Sequence, residues 1–579
     1  MRLPLPNLLA SRRGRLIAFF LLYATEGLPL GFVATAVATQ LRRDGVGPAE
    51  IGALVGSFYL PWAFKWAMGP IIDVFGWRRV GHRRGWIILT QLLMAATLMA
   101  TSLIPLPGSL WLFSAVLLVH NGFGAMQDVA IDALACNTLG AEERGIANGM
   151  MFAGSYLGMT LGGGGVLMVT ARGMPFGWSF AVVAGLLLSV TVLVVLPMRE
   201  PPSPEPEPSD DSPFRVALRQ MHAFSVGAFT SFLGTRGALA GVLFSLLPPG
   251  AMCLGLAVQT TLAVEFGMDD DAVGRLNLFS SIVSAGFCIL GGFLSDRLGR
   301  RRTLTAYLLL MGAPVVVLML SMSGHGWIEP VDVAGKAARQ VPEGLLRMFW
   351  ITTLAYSAVQ GLMYGTRSAI MMDVTNPRVA GTQFTAYMAL ANVAIAYSAT
   401  WQGKASEAWG YPTMMLIDVL FGAVCIALVP LLVPARTAEG TPRFSDGRGA
   451  LRARIIAALL ATGCLLVVPL QYLLHGLPAV APIASTFVSL LLVLSAVFLL
   501  AGGAVLSATA PTLARAAAWF APNLFLLPLR GAIVNRLALT ENLMEVVALV
   551  VPVGAAVFLA AYAAQPWSAL DRDADAEAA

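Results

Sequence analysis

The chain has 579 residues, of which 57% are hydrophobic and only 12% are charged. Soluble domains carry about 25% charged residues, so this composition excludes a protein that water surrounds on all sides. The net charge of +5 does not require a nucleic-acid partner, because the basic residues are divided among loops between apolar runs.

The first third of the chain contains six apolar runs, each long enough to cross a hydrocarbon core about 30 Å thick. We predict transmembrane helices at residues 16–40, 51–72, 86–104, 110–136, 145–171 and 178–196. The first run follows Arg12, Arg13 and Arg15, as the apolar part of a secretory signal peptide would. It is too long for a signal, and the next run follows closely, so we interpret it as an uncleaved first helix.

A segment rich in proline, acidic residues and serine, residues 198–213, follows the sixth run. It cannot bury enough apolar surface to fold, so it is interpreted as a linker. An amphipathic cytoplasmic segment is predicted after it, at 214–233. Six further transmembrane helices are predicted at 239–264, 276–294, 304–322, 345–372, 382–404 and 414–432.

The residues beyond 434 contain further apolar runs at 455–474, 483–506 and 546–562, whereas prolines and arginines interrupt 511–529 and leave it undecided. The predicted fold class is an all-α polytopic membrane protein with two six-helix halves and extra C-terminal helices, about 14 to 16 helices in total. The predicted parts are an N-terminal half (1–197), a cytoplasmic linker with its amphipathic segment (198–235), a C-terminal half (236–433) and a tail (434–579).

Basic residues are crowded in the loops that follow an even number of predicted helices and are sparse in the other loops. Cytoplasmic loops of membrane proteins carry an excess of lysine and arginine. The distribution therefore predicts a cytoplasmic N-terminus and a multi-pass protein of the bacterial inner membrane.

The loops after the second and the eighth predicted helix share a pattern of helix-ending glycines, an aspartate and several arginines. The first copy contains Gly69, Asp73, Arg83 and Arg84, and the second contains Gly292, Asp296, Arg297, Gly299, Arg300 and Arg301. A basic turn that only holds the loop inside the cell is the simpler interpretation, but it does not require the glycines, the aspartate or the repetition. The pattern resembles the signature loop of the major facilitator superfamily, which implies duplicated halves and alternating access. We predict that these residues form a gating motif.

Three of the ionisable residues inside predicted helices of the N-terminal half are candidates for coupling, because a charge there is costly and therefore indicates function. Lys65 lies in the second helix, and Asp128 and Asp132 lie four residues apart on one face of the fourth. We predict that Asp128, paired with Lys65, and Asp132 take part in proton coupling. The alternatives are a structural ion pair for Lys65 and, favoured for Asp132, a pairing with Arg83 or Arg84.

Other polar residues inside predicted helices are candidates to line a cavity for a solute. We predict substrate-binding roles for Glu26, Gln259, Gln360, Arg367 and Gln383. For the glutamines, a hydrogen bond between helices is an equally good interpretation. His120 in the fourth predicted helix is interpreted as a packing residue.

Several short segments resemble a narrower family, the peptide/acetyl-coenzyme A transporter group that includes the AmpG-type muropeptide permeases. The matching residues are 27–30, 64–66, 70, 73, 83–86, 127–128, 132–133, 139, 143–145 and 381–384. The resemblance implies import of anhydro-muropeptides into the cytoplasm, driven by the proton gradient. A siderophore or an acyl-coenzyme A-like solute is the alternative substrate. A membrane scaffold or signalling protein without transport is the alternative of another class.

Motifs of hydrolases and nucleotide-driven pumps, such as HExxH, GxSxG and the Walker pair, do not occur in the sequence. We therefore predict a protein that is not an enzyme and that uses no cofactor or metal. Its predicted partners are a muropeptide-like solute, protons and the lipid bilayer. A monomer is predicted.

Overall fold

The computed structural model of the protein describes residues 6–58, 60–63, 65–68, 71–72, 80–138, 144–200, 212–331, 340–375, 380–434, 445–474, 476–528 and 541–571. All regular secondary structure in these residues is helical, so the predicted all-α class is confirmed. Among the described residues, 11 helices are long and apolar enough to cross a membrane. The larger predicted total stays a prediction.

The first half forms helices close to the six predicted spans. They are α1 (Arg12–Arg43), α2 (Pro48–Phe58), α3 (His82–Thr101), α4 (Leu110–Thr138), α5 (Arg144–Thr160) and α6 (Phe176–Val195). Helix α2 is followed by the short helix Leu60–Ala63 and the 3-10 turn Lys65–Met68. Helix α5 continues through the wide turn Leu161–Gly165 into Val166–Ala171.

Glycines allow α1 and α5 to pack with their backbones in direct contact. A Cβ atom on Gly27 would lie 2.0 Å from the carbonyl oxygen of Ser155, and one on Gly158 would lie 2.1 Å from that of Ala24. Neither position therefore has room for a side chain. Because Gly27 directly follows Glu26, this close packing also fixes the rotation of α1 that buries the Glu26 carboxyl.

The second half begins with α7 (Pro213–Gly234), which occupies the predicted amphipathic segment. The helices that follow are α8 (Arg236–Leu246), α9 (Ala257–Glu265), α10 (Asp270–Leu298), α11 (Arg300–Gly324), α12 (Glu343–Asp373) and α13 (Ala380–Val424). Helix α13 is kinked at Gly410, where φ is 77°. The two sides of this kink correspond to the predicted eleventh and twelfth spans.

The predicted seventh span, 239–264, is not one helix, and the prediction of a continuous span there is wrong. Helices α8 and α9 are separated by residues 247–256, which include the 3-10 turn Cys253–Gly255 and which we call the break. Pro248 and Pro249 cannot donate backbone hydrogen bonds. Gly250 has a φ of 81°, a conformation that residues with a side chain avoid. These three consecutive residues end the helix within an apolar run.

The tail contains four helices among its described residues. They are α14 (Gly449–Leu474), α15 (Ala481–Leu506), α16 (Pro511–Phe520) and α17 (Glu541–Ala563). Three of them match the predicted tail spans. The undecided stretch 511–529 forms α16, whose 10 residues extend about 15 Å. This length is half of what a crossing requires.

The chain divides into two compact units. The first consists of Met1–Leu218, Leu246–Ala369 and Met388–Ala427, and the second of Arg219–Ser245, Ile370–Tyr387 and Leu428–Ala579. The division into four parts at residues 197, 235 and 433 stays a prediction. Helices α1 to α6 and the break lie in the first unit, and the tail helices lie in the second.

Within the second unit, α7 packs against the tail. The ring of Phe229 stacks on that of Trp567 with 5.8 Å between centroids. At the end of α7, Arg452 donates a hydrogen bond of 2.9 Å to the carbonyl oxygen of Leu233. Arg452 also pairs with Asp446. Burial raises the pKa of the Asp446 carboxyl, but the hydrogen bond and charge of Arg452 lower it more, so this pKa lies below its ordinary value.

Candidate functional site

A buried ion pair joins the second and fourth helical segments of the first half. The Nζ of Lys65, in the 3-10 turn after α2, lies 2.6 Å from Oδ2 of Asp128 in α4. The side chains are only 10% and 5% exposed. The Lys65 ammonium also lies 5.8 Å from the centre of the Trp62 ring, within the distance of a cation–π interaction. The predicted pairing of these two residues is confirmed.

Two further carboxyl groups accompany this pair. Asp132 accepts a hydrogen bond of 2.5 Å from the hydroxyl of Tyr23 on α1. Glu26, also on α1, interacts electrostatically with Asp128, Asp132 and Lys65. Its Oε1 atom is buried and has no hydrogen-bond partner among the described residues. We call these five residues the Lys65 cluster.

The Lys65 cluster has three carboxyl groups but only one ammonium group. One ammonium can balance one carboxylate, and an isolated carboxylate in an interior of low dielectric is strongly disfavoured. The least costly state of the cluster therefore carries protons on the carboxyl groups that Lys65 does not balance. Which carboxyl group the ammonium balances depends on where the ammonium lies.

A network of neutral hydrogen bonds fixes the helices around the cluster. Thr25 on α1 accepts from Nε2 of Gln127 on α4 at 2.8 Å and from Nε2 of Gln91 on α3 at 3.3 Å. The hydroxyl of Thr191 donates to Oε1 of Gln91 at 2.6 Å. Since Gln127 directly precedes Asp128, this network sets the depth and rotation of that carboxylate.

His120, eight residues before Asp128 on α4, lies in the packing between α3 and α4. Its ring is fully buried, with Nδ1 3.0 Å from the carbonyl oxygen of Met94 and 2.9 Å from the hydroxyl of Thr97. Its Nε2 is buried without a hydrogen-bond partner among the described residues, so the interpretation as a packing residue stays a prediction.

The arginines of the first gating-motif copy bind backbone carbonyl groups. Arg83 donates to the oxygen of Ile72 at 3.0 Å, and Nε of Arg84 donates to that of Val195 at 2.9 Å. Asp132 instead has Tyr23 as its hydrogen-bond partner. The favoured pairing of Asp132 with Arg83 or Arg84 is therefore wrong. The arginines satisfy carbonyl groups near helix ends, which have no partner within their own helix.

Part of the predicted motif lies outside the described residues, namely Gly69, Asp73 and the side chain of Asp296. In the second copy, the close helix contact is made by Gly291 rather than by Gly292. A Cβ atom on Gly291 would lie 2.4 Å from the carbonyl oxygen of Leu362, whereas one on Gly292 would meet nothing within 4 Å. The glycine that allows close packing is thus one position earlier than predicted.

The turn of the second copy is formed by Gly299, which separates α10 from α11. Its φ of 92° is a conformation that favours glycine. Arg297 is exposed just before this turn, and Arg300 and Arg301 begin α11. This arrangement places three arginines around one sharp turn, and their gating role stays a prediction.

The predicted substrate residues of the second half lie on three helices. On α12, Nε2 of Gln360 donates to the hydroxyl of Tyr356 at 3.3 Å, and Arg367 is buried. Gln259 lies on α9 and is half-buried. Gln383 lies in the second unit, where it donates to Tyr387 at 3.0 Å within α13.

The end of α1 opposite to the Arg12 end carries a buried ion pair with the second half. Arg42 donates to Oε1 of Glu265, the last residue of α9, at 2.7 Å, and the two side chains are 4% and 0% exposed. The hydroxyl of Tyr411 on α13 donates to the same oxygen at 2.7 Å. We call Arg42, Glu265 and Tyr411 the Arg42 cluster.

Two neighbouring contacts reinforce this junction between the halves. Arg43 pairs with Asp270 at the start of α10 and donates to the carbonyl oxygen of Met268 at 3.1 Å. The backbone N–H of Ala49, on α2, donates to Oε1 of Glu407 at 2.8 Å. Helices α1 and α2 are therefore held to α9, α10 and α13 by charged groups at this one end.

Sequence reasoning missed two buried carboxylates, Glu265 and Asp418. Glu265 lies one residue beyond the predicted span 239–264, and Asp418 lies inside 414–432. Asp418 is an acidic residue within an apolar run, which is the same signal that pointed to Asp128. The position of Glu265 at a predicted helix end carries no such signal, because charges are common there.

Known proteins similar to this chain are transporters. The family model described as Major Facilitator Superfamily matches residues 16–250 and 249–571. The anhydromuropeptide permease of Escherichia coli (strain K12) is 27% identical over 429 residues, which cover 73% of this chain and 79% of that relative. A Rickettsia typhi (strain ATCC VR-144 / Wilmington) protein named AmpG 3 is 20% identical over 422 residues, covering 71% of this chain and 94% of the relative.

Solved structures share the fold at low sequence identity. A POT family transporter in complex with 5-aminolevulinic acid is 12% identical, has a TM-score of 0.54 and covers 72% of this chain and 95% of its own. A D-xylose-proton symporter is 13% identical with a TM-score of 0.51, over 72% of this chain and 98% of its own. At this identity the likeness concerns the fold alone.

Proposed function

Because the chain belongs to the Major Facilitator Superfamily, we propose that this multi-pass membrane transporter imports anhydro-muropeptides into the bacterial cytoplasm, driven by protons. The observation that carries proton coupling is the Lys65 cluster, in which two buried carboxyl groups and the half-buried Asp132 share one ammonium group. The proposed transporter acts as a monomer in the inner membrane, with its N-terminus in the cytoplasm. Its halves alternate access to a site between them.

Coupling begins at the Lys65–Asp128 pair. When Asp128 takes up a proton, it becomes neutral and releases the Lys65 ammonium. The ammonium then balances Asp132 or Glu26, which interact with it in the same cluster. Since these partners lie on α1 and α4 and Lys65 lies beyond α2, a proton moving within the cluster changes the forces between three helical segments.

Gating requires contacts that hold one end closed and break when it opens. The Arg42 cluster and the Arg43–Asp270 pair join the halves at the far end of α1. The two copies of the gating motif serve the opposite end in this proposal. The solute passes when one set of contacts breaks and the other forms.

The muropeptide assignment rests on the similarity to the Escherichia coli permease and on the motifs that resemble its family. Glu26, Gln259, Gln360, Arg367 and Gln383 are the proposed solute-binding residues. A siderophore or acyl-coenzyme A-like solute is the second candidate substrate. A scaffold or signalling protein without transport is the candidate of another class, and it would retain its phenotype when Lys65 or Asp128 is neutralised.

The test is uptake of radiolabelled anhydro-muropeptide into cells that lack their own permease, with and without a protonophore. The wild-type protein and Asp446→Asn, a carboxylate variant outside the Lys65 cluster, should both show protonophore-sensitive uptake. Asp128→Asn should reduce uptake to the level of cells without the protein. Absence of uptake by a wild-type protein that is correctly inserted would remove the muropeptide assignment. Full protonophore-sensitive uptake by Asp128→Asn would remove the coupling site.

A further inference from the structure

Asp418 is a fully buried carboxylate on the part of α13 that follows the kink, with an exposed fraction of 0%. Its Oδ2 accepts hydrogen bonds from the backbone N–H groups of Met252 at 2.8 Å and Cys253 at 2.9 Å. Its Oδ1 accepts from Nε2 of Gln402 at 2.7 Å. These three donors are neutral amides, and the Cys253 thiol is a fourth neutral partner, so dipoles rather than an opposite charge stabilise this carboxylate.

These hydrogen bonds replace those that the break removes from the seventh span. In a membrane interior an unsatisfied backbone N–H costs several kcal/mol, and Met252 and Cys253 lie between α8 and α9, where helical bonds are interrupted. On the opposite side, the hydroxyl of Tyr356 on α12 donates to the carbonyl oxygen of Ala251 at 2.9 Å. The break is thus held by α13 through its N–H groups and by α12 through a carbonyl group.

The backbone of α13 also touches the break directly. A Cβ atom on Gly422 would lie 2.2 Å from the carbonyl carbon and oxygen of Gly250. Gly422 lies four residues after Asp418 and so on the same face of the helix. The glycine allows the approach, and the carboxylate makes the polar contacts that this approach permits.

The break presents one exposed residue among buried ones. Ala251, Met252, Cys253 and Leu254 are 0–3% exposed, whereas Gly255 is exposed. A Cβ atom on Gly255 would lie 2.6 Å from Nε2 of Gln360 and 3.0 Å from the hydroxyl of Tyr356. Exposed backbone at membrane depth is tolerated where it lines a water-filled cavity and not where it faces lipid. Because its neighbours Gln360 and Tyr356 are polar, the surface at Gly255 fits the wall of a water-filled cavity better than a surface that faces lipid.

We infer that Asp418 is a positioning residue of the solute site, because it holds the break in the conformation that exposes the backbone at Gly255 beside Gln360 and Tyr356. This surface offers amide, carbonyl and hydroxyl groups and suits a neutral part of a solute that bears amides or hydroxyls. The inference rests on the proposed transport function for its solute. The hold on the break can be measured without any transport.

The native thiol of Cys253 reports on the break. The experiment uses the full chain in lipid nanodiscs with the other four cysteines replaced by serine, and a membrane-permeant maleimide as probe. Asp418→Ala should speed labelling of Cys253 at least about tenfold, because the released segment opens locally. A matched chain that retains only Cys464, a buried thiol in α14, should show unchanged labelling.

The conservative variant Asp418→Asn should protect Cys253 as the wild type does. The Asn oxygen can accept both backbone bonds, and its amide can donate to Oε1 of Gln402, which has no partner among the described residues. Gln402→Ala, which removes one of the three bonds, should give an intermediate rate and serves if Asp418→Ala does not fold. A wild-type labelling rate in Gln402→Ala, which keeps the carboxylate, would overturn the inference, because faster labelling in Asp418→Ala alone can follow from the lost contact between Asp418 and the thiol.

Two further measurements connect the break to the solute. Gly255→Cys in a chain without other cysteines should react with a small, positively charged thiol reagent in water. No reaction would place Gly255 against lipid and overturn the site.

In uptake experiments, Asp418→Ala should raise KM about tenfold or more, and Asp418→Asn should restore it. Loss of proton-driven uptake in Asp418→Asn with Cys253 still protected would instead make Asp418 a proton carrier. If the wild type transports no muropeptide, the proposed substrate fails while both labelling results still decide the inference.

Discussion

Two buried carboxylates, Asp128 in the first half and Asp418 in the second, are satisfied in opposite ways. Asp128 faces the ammonium of Lys65 at 2.6 Å, within a cluster that holds two more carboxyl groups. Asp418 faces two backbone N–H groups and one side-chain amide. The first has a partner that can move to another acid, and the second has partners that are fixed by the course of the backbone.

Asp128 is therefore suited to change its charge, whereas Asp418 is suited to hold a segment of the backbone in one conformation. An ion pair that shares its cation with other acids has several arrangements of similar cost. A carboxylate that accepts backbone bonds has one, because the donors move only if the chain rearranges. Both residues are ionisable groups in apolar helices, so location alone does not distinguish coupling from positioning.

The largest effect is expected when the Lys65 ammonium that pairs with Asp128 is removed. Lys65→Met leaves a buried carboxylate without its partner, which typically costs about 3–5 kcal/mol of stability. Thermal unfolding of the purified protein in detergent should show this as a clear drop in Tm. The double variant Lys65→Met/Asp128→Asn should recover most of the lost Tm, since it removes both charges, but no proton-driven uptake. A double variant as unstable as Lys65→Met would contradict the ion-pair account.

A smaller effect is expected at the Arg42 cluster, where a carboxylate is paired with a cation but stands apart from other buried acids. Glu265→Gln weakens charge-assisted hydrogen bonds of about 1.5–3 kcal/mol each and should shift the protein toward the state in which this end is open. A cysteine at position 47, near the Ala49–Glu407 contact, should then react faster with an impermeant thiol reagent. Uptake should stay protonophore-sensitive, in contrast to Asp128→Asn. Loss of protonophore sensitivity in Glu265→Gln would mean that Glu265 also takes part in proton coupling.

A comparable or smaller effect is expected when Asp418 is left intact but the backbone of α13 is prevented from approaching the break. The Cβ atom of Gly422→Ala would overlap the backbone of Gly250, and overpacking of this kind costs about 1–3 kcal/mol. The predicted result is faster maleimide labelling of Cys253, as in Asp418→Ala. Gly286→Ala is the control, because a Cβ atom there meets nothing within 4 Å. Equal labelling rates of Cys253 in Gly422→Ala and Gly286→Ala would mean that Gly422 does not help to hold the break.

The smallest effect is expected for Asp446, a half-buried carboxylate near the surface, with 28% of its side chain exposed, that is paired with Arg452. Its lowered pKa means that the pair stabilises the protein at neutral pH and that this contribution is lost as the pH falls through the lowered pKa. Because solvent screens the pair, Asp446→Asn should cost less than about 1 kcal/mol at pH 7. The Tm values of variant and wild type should converge in acid. A difference that grows toward low pH would contradict this sign.

The sequence was sufficient for the features that depend on apolar length and on the position of charges. Hydropathy placed most helices of the first half within a few residues, although α2 ends at Phe58 rather than near the end of the predicted span 51–72. The depth of Lys65 and Asp128 in their predicted spans was enough to pair them. The break was not predicted because Pro248, Pro249 and Gly250 lie in an apolar run that hydropathy reads as continuous. Their backbone chemistry, rather than their polarity, ends the helix.

Partner choice at long range could not be predicted from the sequence. Asp132 binds Tyr23, and nothing in either segment selects a tyrosine on α1 over the arginines at the start of α3. Glu265 and Arg42 meet only because α9 ends beside the end of α1. Such contacts follow from helix packing, which sequence periodicity does not specify for a span that is apolar on most faces.

The packing of α7 on the tail has a consequence for the order in which the protein is made. The partners of Phe229, Phe498 and Trp567, leave the ribosome on the order of tens of seconds after Phe229 itself at typical rates of synthesis. Helix α7 is therefore made before the segments that cover its aromatic face at Phe229. During that interval a membrane chaperone or the bilayer must shield this face, and a ribosome that stalls before the tail leaves a transporter whose linker helix has no completed packing.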